Sequence, residues 1–427
     1  MVHTPDRKVI VTIDGEHYDL SLFACRHAGG SEVIEHLHGK DISVLLRQVH
    51  NDDDEVWRIL KSCRIYSGRK PQRCPVTGST LTQDEKDWFE LFKKFKELGF
   101  FEAKLSDLTI SFALPIILLW GLGIAATFVN WPLAFILITL ASLKSVHLLH
   151  DLGHHAIMRT GDQNRVLTRW LGILLLGMDT RVFCSNHMIH HSFTNILQQD
   201  EALDNQPVVW HPDQGQQPSG QVKYWYTMLT VAGIYFWLGQ FVRIMPKPLA
   251  KFLPYQNWLN GNRRQSHVLM DFNDSMITLM RFLISWYFLG FWLTVGTSVV
   301  AVGITAFFAS LNHFHLPIFR KEQLEEDAFT HITHQTKTTQ SWFWRPHWLW
   351  SWLSGGLDSH LTHHLFPTMP SYNLAKANPY IVEFCESHNL PYHECTLPEA
   401  IHRAYRKSKD PFEVLERYAN ENYNGRV

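Results

Sequence analysis

Residues 108–155 read LTISFALPIILLWGLGIAATFVNWPLAFILITLASLKSVHLLHDLGHH. The first 36 of them, Leu108 to Leu143, contain no Asp, Glu, Lys or Arg. As one helix they would extend about 54 Å, against a hydrocarbon thickness of about 30 Å. The run must therefore fold as two membrane spans, and Asn130-Trp131-Pro132 supplies the break. A second uncharged stretch, Phe282 to Phe319, predicts another pair that turns near Gly296.

Flanking charges set the orientation. Lys93, Lys94, Lys96 and Lys104 precede the first pair, and Arg159, Arg165, Arg169 and Arg181 follow it. Lys247, Lys251, Arg263 and Arg264 precede the second pair, with Arg320 and Lys321 beyond it, and neither turn carries a basic residue. By the positive-inside rule the turns face the lumen and both chain ends face the cytosol. Tyr224–Ile244 is apolar enough for a fifth span. Its Trp, Tyr and Phe content suits an interfacial helix, and a fifth crossing would put the later histidines on the opposite side from the earlier ones. Ahead of the spans, Thr82-Gln-Asp-Glu85 forms a capping box. The helix it opens carries Trp88, Phe92, Phe95 and Gly99 on one face, expected at the bilayer surface, with an ordinary core-facing helix as the alternative.

The 427 residues have room for two or three domains. Lys plus Arg, at 39, nearly balance Asp plus Glu, at 40, so nothing in the charge points to nucleic acid. Mean hydropathy is slightly negative, an average that hides how unevenly the apolar residues are distributed. Six cysteines, at 25, 63, 74, 184, 385 and 395, form no C-x-x-C and suit a reducing, cytosol-facing environment. The opening MVHTPDRKVI lacks an apolar h-region, so no cleaved secretory signal is expected.

Histidine is the outlier, with 26 copies. Three clusters stand out: His150-Asp-Leu-Gly-His154-His155, His187-Met-Ile-His190-His191 and His360-Leu-Thr-His363-His364. In a helix, residues at i, i+3 and i+4 share a face, so each cluster aims two or three imidazoles at one point. A redox metal that activates dioxygen needs several nitrogen or oxygen donors, and neutral imidazoles supply them without stacking negative charge beside a bilayer. A single buried histidine is more often a packed polar residue. At this histidine content, two H-x-x-H-H matches arise by chance in about one chain in a hundred, which favours ligands. Asn312-His313 ends the last span as a further candidate, and His147, His315, His331 and His334 are near enough that spacing does not rank them. Asp151, Asn195, Asp200 and Asp358 are candidates to orient the rings, each with a helix cap or solvated loop as its alternative.

Residues 9–68 read as a compact mixed α/β unit: a strand over Val9–Ile13, an Asp14-Gly15 turn, then short capped helices. His27 precedes Gly29-Gly30, and His50 follows 23 residues later. Two histidines on opposed helical hairpins would hold haem from both axial sides and favour electron transfer over oxygen binding. On spacing alone His17, His36 and His38 compete with them.

Tyr18-Asp-Leu-Ser-Leu-Phe23, His27-Ala-Gly-Gly30, Gly39-Lys-Asp41 and Val49-His50 resemble the cytochrome b5 domain family. The resemblance implies His27 and His50 as axial ligands of haem b, with Ala28 where the family usually has Pro and Asn51 where it usually has Ser. The rest resembles membrane fatty acid desaturases, most closely the front-end type with a fused b5 domain, and the animal cytochrome b5-related branch. The matches are HDLGHH, NHMIHHSFTN with Asp200 following, LNHFH, and THHLFPTMPSYNLAKANPYI. The resemblance implies that His150, His154, His187, His190, His191, His313, His363 and His364 ligate two iron ions. His360 joins them where front-end enzymes carry Gln and other desaturase branches carry His, and His155 is an additional histidine in the first cluster.

The fold so implied is mainly α. It has a cytochrome b5-like α+β unit over residues 5–70, a linker with the amphipathic helix over 71–104, and a four-span desaturase body with a cytosolic histidine-rich cap over 105–427. The implied function is oxygen-dependent desaturation of a fatty-acyl lipid in the endoplasmic reticulum membrane, with electrons from NADH through a cytochrome b5 reductase and the haem. Hydroxylation of a lipid or sphingoid chain, or a non-catalytic b5-type redox or lipid-binding role, are the alternatives.

Overall fold

The computed structural model describes residues 8–24, 27, 34–35, 37–51, 54–65, 82–177, 180–196, 199–200, 272–319 and 330–409. The Tyr224–Ile244 segment, the basic residues from Lys247 to Arg264, Arg320, Lys321, Cys25, Cys74, Ala28 and His36 lie outside them.

The N-terminal unit opens with an antiparallel hairpin of β1 (Ile10–Ile13) and β2 (Glu16–Asp19), in the register Ile10↔Asp19 and Val11↔Tyr18. Asp14 and Gly15 both take positive φ, 51° and 79°, the geometry that matches a two-residue turn to strand twist. Helices α1 (Ser43–His50) and α2 (Asp54–Cys63) follow. Val9, Val11, Ile13, Leu20, Ile42, Leu45 and Leu60 form the core of this unit.

Helix α3 (Gln83–Glu97) starts at Thr82, whose backbone N–H donates to the Glu85 carboxylate at 3.0 Å. Trp88, Phe92 and Phe95 are buried among Leu361, Phe366, Leu374 and Ile381. Trp88 stacks on Phe366 at 5.1 Å between ring centroids. The apolar face is therefore occupied by protein, and the expectation that it lies on the bilayer surface is corrected. A dense aromatic cluster from the C-terminal region supplies better packing than lipid would.

Among the described residues, three helices are long and apolar enough to cross a membrane: α4 (Leu105–Ala126), α5 (Trp131–Gly153) and a run from Asp274 to His313. The break between α4 and α5 falls at Asn130, whose side chain caps α5 by accepting from Leu133 N at 2.9 Å. The third run has 40 residues and is not continuous. Helix α8 (Phe272–Phe291) contains Gly290 with φ 76° and ψ 168°, and α9 (Thr297–His313) resumes beyond it. The turn is thus at Gly290 and not near Gly296, which is helical at φ −60° and ψ −39°. Only a residue without Cβ adopts Gly290's conformation without strain. Ile110, Ile117, Leu122, Leu283, Tyr287 and Phe288 on these helices are exposed, as lipid-facing side chains are. Helix α5 is central and packs against both α4 and α9.

Helix α6 (Gly161–Leu171) leads toward α7 (Arg181–Phe193). Arg169 on α6 makes a two-pronged contact with the buried Asp274 carboxylate of α8, at 2.8 and 2.7 Å. The C-terminal region contributes α10 (His331–Thr338), β3 (Gln340–Phe343), α11 (His347–Ser354), α12 (His360–Leu365), α13 (Ser371–Ser387), β4 (His393–Thr396) and α14 (Leu397–Lys409). Strands β3 and β4 pair in parallel, Gln340↔His393 through Phe343↔Thr396. No disulfide forms among the described cysteines.

Candidate metal centre

The histidine clusters reach one place from four helices. His150 lies in the last turn of α5 and His154 just beyond it, α7 carries His187, His190 and His191, α9 ends on His313, and α12 carries His360, His363 and His364. Spans α5 and α9 both end here, so the donors gather at one end of the membrane bundle.

Ring nitrogens of His150, His154, His187 and His363 all lie within 4.8 Å of one another, and so do those of His190, His313 and His364. His191 joins the first group, its Nε2 3.3 Å from His187 Nε2 and its ring 4.5 Å from His154. His360 joins the second, its Nε2 2.7 Å from His313 Nε2. The groups adjoin where His191 stacks on His364 at 4.1 Å. The structure thus brings together all nine histidines singled out as metal-ligand candidates, five in one group and four in the other.

Hydrogen bonds on the outer side orient the second group. His190 Nδ1 donates to Asp200 Oδ2 at 2.9 Å, His313 Nδ1 to Thr338 O at 2.8 Å, and His364 Nδ1 to Gln335 Oε1 at 2.8 Å. Each outer N–H leaves the inner Nε2 with a bare lone pair. The lone pairs of His190 and His313 then face each other at 3.3 Å, and His364 Nε2 has no hydrogen-bond partner. In the first group both ring nitrogens of His154 and Nε2 of His363 are buried without a partner. Buried unsatisfied polar atoms are costly, and converging lone pairs repel unless a cation lies between them. Burial, reinforced by the neighbouring imidazoles, holds His154, His187, His191, His360, His363 and His364 well below the ordinary histidine range. The rings are therefore neutral, the state a metal ligand requires. Two adjacent all-nitrogen sites suit a pair of redox-active transition metals.

The orienting groups differ in part from those expected. Asp200 contacts a cluster ring as expected. Asn195 acts one step out: its amide donates to His313 O and Pro317 O, both at 3.1 Å. Asp151 is 3.4 Å from His150 Nδ1 and accepts the Ser371 N–H at 2.9 Å. Asp358 instead meets Ser354 Oγ at 3.2 Å and His347 Nε2 at 3.2 Å, and the expectation that it orients a cluster ring is corrected. Gln335 was missed by sequence reasoning. Its side chain accepts from His364 and from Thr194 Oγ1, and donates to His191 O at 2.8 Å. The one signal for it is its place four residues after His331 on a polar helix.

The unranked histidines separate from the centre. His315 contacts Gln340 at 2.9 Å, His334 Nε2 donates to Thr194 O at 2.6 Å, and His331 lies beside Gln335. His147 packs against Gly355, where an added Cβ would meet its ring at 2.5 Å.

In the N-terminal unit His27 and His50 face each other with ring centroids 6.1 Å apart. Two imidazole nitrogens each about 2 Å from one metal, plus half of each ring, need centroids roughly 6 Å apart, so the pair fits a haem iron. Burial and the nearby His27 push His50 down to about 3, so it too is neutral. Of the competitors, His17 contacts Thr12 and His38 contacts Ile10 N.

An apolar bundle capped by converging imidazoles thus adjoins a small unit that holds two opposed histidines. The chain belongs to the fatty acid desaturase family: "Fatty acid desaturase" matches residues 126–396, and "Cytochrome b5-like Heme/Steroid binding domain" matches residues 1–66. Delta(8)-fatty-acid desaturase 2 of Arabidopsis thaliana is 24% identical over 429 residues, covering 93% of this chain and 88% of its own. Fatty acid desaturase 3 of Bos taurus is 25% identical over 399 residues, covering 90% and 85%. Acyl-lipid (9-3)-desaturase of Borago officinalis is 23% identical over 420 residues, covering 91% and 87%. The enzyme is an oxidoreductase, and its b5 domain implies haem and a redox partner.

Proposed function

We propose that the nine imidazoles hold two iron ions and that the enzyme desaturates a fatty-acyl chain, as acyl-CoA or acyl-lipid, with dioxygen. His150, His154, His187, His191 and His363 would surround one ion, and His190, His313, His360 and His364 the other. When bound, the iron pair supplies oxygen activation and hydrogen abstraction from an unactivated C–H bond. The protein's part is to keep the imidazoles neutral, fix their tautomers through Asp200, Thr338 and Gln335, and hold the acyl chain in one register. Register matters because only position distinguishes equivalent methylenes. Haem between His27 and His50 would carry electrons from NADH by way of a cytochrome b5 reductase.

In this reading the 40-residue run crosses the bilayer twice, because unbroken it would extend about 60 Å. The body then has four spans, with both termini and the histidines on the cytosolic side of the endoplasmic reticulum membrane. The observation that carries the proposal is the convergence of nine histidines, from residues 150 to 364, into two adjoining groups with inward lone pairs.

Lipid analysis of yeast expressing the chain, beside a His363→Ala version, tests it. New double bonds with the native chain alone are the expected result. New hydroxyls would reassign the reaction to a hydroxylase, and unchanged lipids with no stoichiometric iron in the purified protein would overturn the proposal.

A further inference from the structure

Helix α7 has two working faces. At 100° per residue, His187, His190 and His191 point to one side, and Ile189 and Phe193 to the other. Ile189 and Phe193, with Ile196 just beyond the helix, are buried in the same apolar cluster as Leu37, Ile42 and Leu45 of the b5 unit. Lys40 of that unit sits over the Phe193 ring at 4.2 Å. Two contacts lie further along the junction: Arg47 over Phe89 at 4.8 Å, and Lys96 Nζ donating to Asn51 O at 3.1 Å. A single helix, about 10 Å thick, thus lies between the haem unit and the metal centre.

His155 belongs to neither metal group. It takes φ 59°, a left-handed conformation rare for so large a residue, so the chain reverses directly after His154. Its ring lies over Gly161, where an added Cβ would meet Cε1 at 3.3 Å.

We propose that the b5 unit docks on the outer face of α7, with Lys40 set over Phe193, so that this one helix separates the His27–His50 pair from the metal centre. The inference rests on the di-iron desaturase reading and adds the route by which the two sites communicate. Only an electron crosses the junction: the haem side loses one, the metal side gains one, and a reduced flavoprotein reductase replaces it.

Two experiments on the full-length chain in membranes test the inference. In the first, a photoreactive benzophenone amino acid replaces Lys40. Illumination is expected to form an adduct within residues 189–196, whether or not iron and haem are loaded. No adduct, or one elsewhere, overturns the docking. In the second, Lys40→Glu, which reverses the charge set over the Phe193 ring, is compared with the native chain. Reoxidation of reduced haem in the presence of oxygen and acyl lipid is expected to slow severalfold, with iron content, haem content and haem spectrum unchanged. An unchanged rate, or loss of either cofactor, overturns the role of this junction. Absence of iron from the native chain would sink the di-iron reading while leaving the Lys40 adduct in place.

Discussion

The Asp200 carboxylate accepts from His190 Nδ1 at 2.9 Å, and the same oxygen receives the Asn195 backbone N–H at 2.8 Å. One buried charge thus fixes both a ring of the centre and the turn that ends α7. Loss of such an outer partner costs about 10–100-fold in metal affinity or activity. Asp200→Asn is accordingly expected to leave the chain folded with much less iron. Metal content per purified chain, against the native protein, is the measurement, and full iron occupancy would refute the role.

Gly355 takes φ 70°, and a methyl group placed on it would stand 2.5 Å from the His147 ring. Gly355→Ala combines backbone strain with overpacking and is expected to cost about 2–4 kcal/mol. Thermal unfolding followed by size-exclusion fluorescence should show a lower Tm. Pairing the change with His147→Ala should recover part of the loss.

Arg169 and Asp274 tie α6 to the start of α8, and their side chains are 35% and 2% exposed. Removing the arginine takes two charge-assisted hydrogen bonds from a buried carboxylate, whereas removing both charges leaves no carboxylate to desolvate. Arg169→Leu is expected to destabilise by about 2–4 kcal/mol, and the Arg169→Leu, Asp274→Leu double variant by less. Equal losses in the two would show that the pair is not coupled.

His334 is buried and its imidazole is pushed down to about 4 by that burial. The unfolded chain takes up a proton near pH 6.5 while the folded chain does not. Acid therefore favours unfolding: stability is level above about pH 7 and falls as pH drops from about 6.5 toward about 4. His334→Gln should flatten part of that slope in thermal melts run across the range, and a slope identical to the native one would remove His334 as a cause.

The histidine centre was legible because helical spacing alone puts i, i+3 and i+4 on one face, and uncharged runs mark which helices end at the membrane surface. The partners of those rings were less so. Gln335 and the Thr338 carbonyl are brought in by α10, whose polar sequence has no periodicity that points at the centre, and Asp358 meets Ser354 and His347 of α11 instead. The turn at Gly290 escaped because Gly290 and Gly296 sit in one uncharged run, and only the tertiary packing of α9 against α5 decides which of them breaks. Helix α3 was read from its amphipathic face, but periodicity does not say what covers such a face. Here it is Phe366, nearly 300 residues away.

The donor set spans residues 150 to 364, and each metal group draws on the last of the three histidine clusters. No nascent chain can close either group before the ribosome has passed that point, so the spans must enter the bilayer with the centre still open. In the di-iron reading metal loading follows entry of the spans, and a chain cut before His360 would lack the histidines that close both groups.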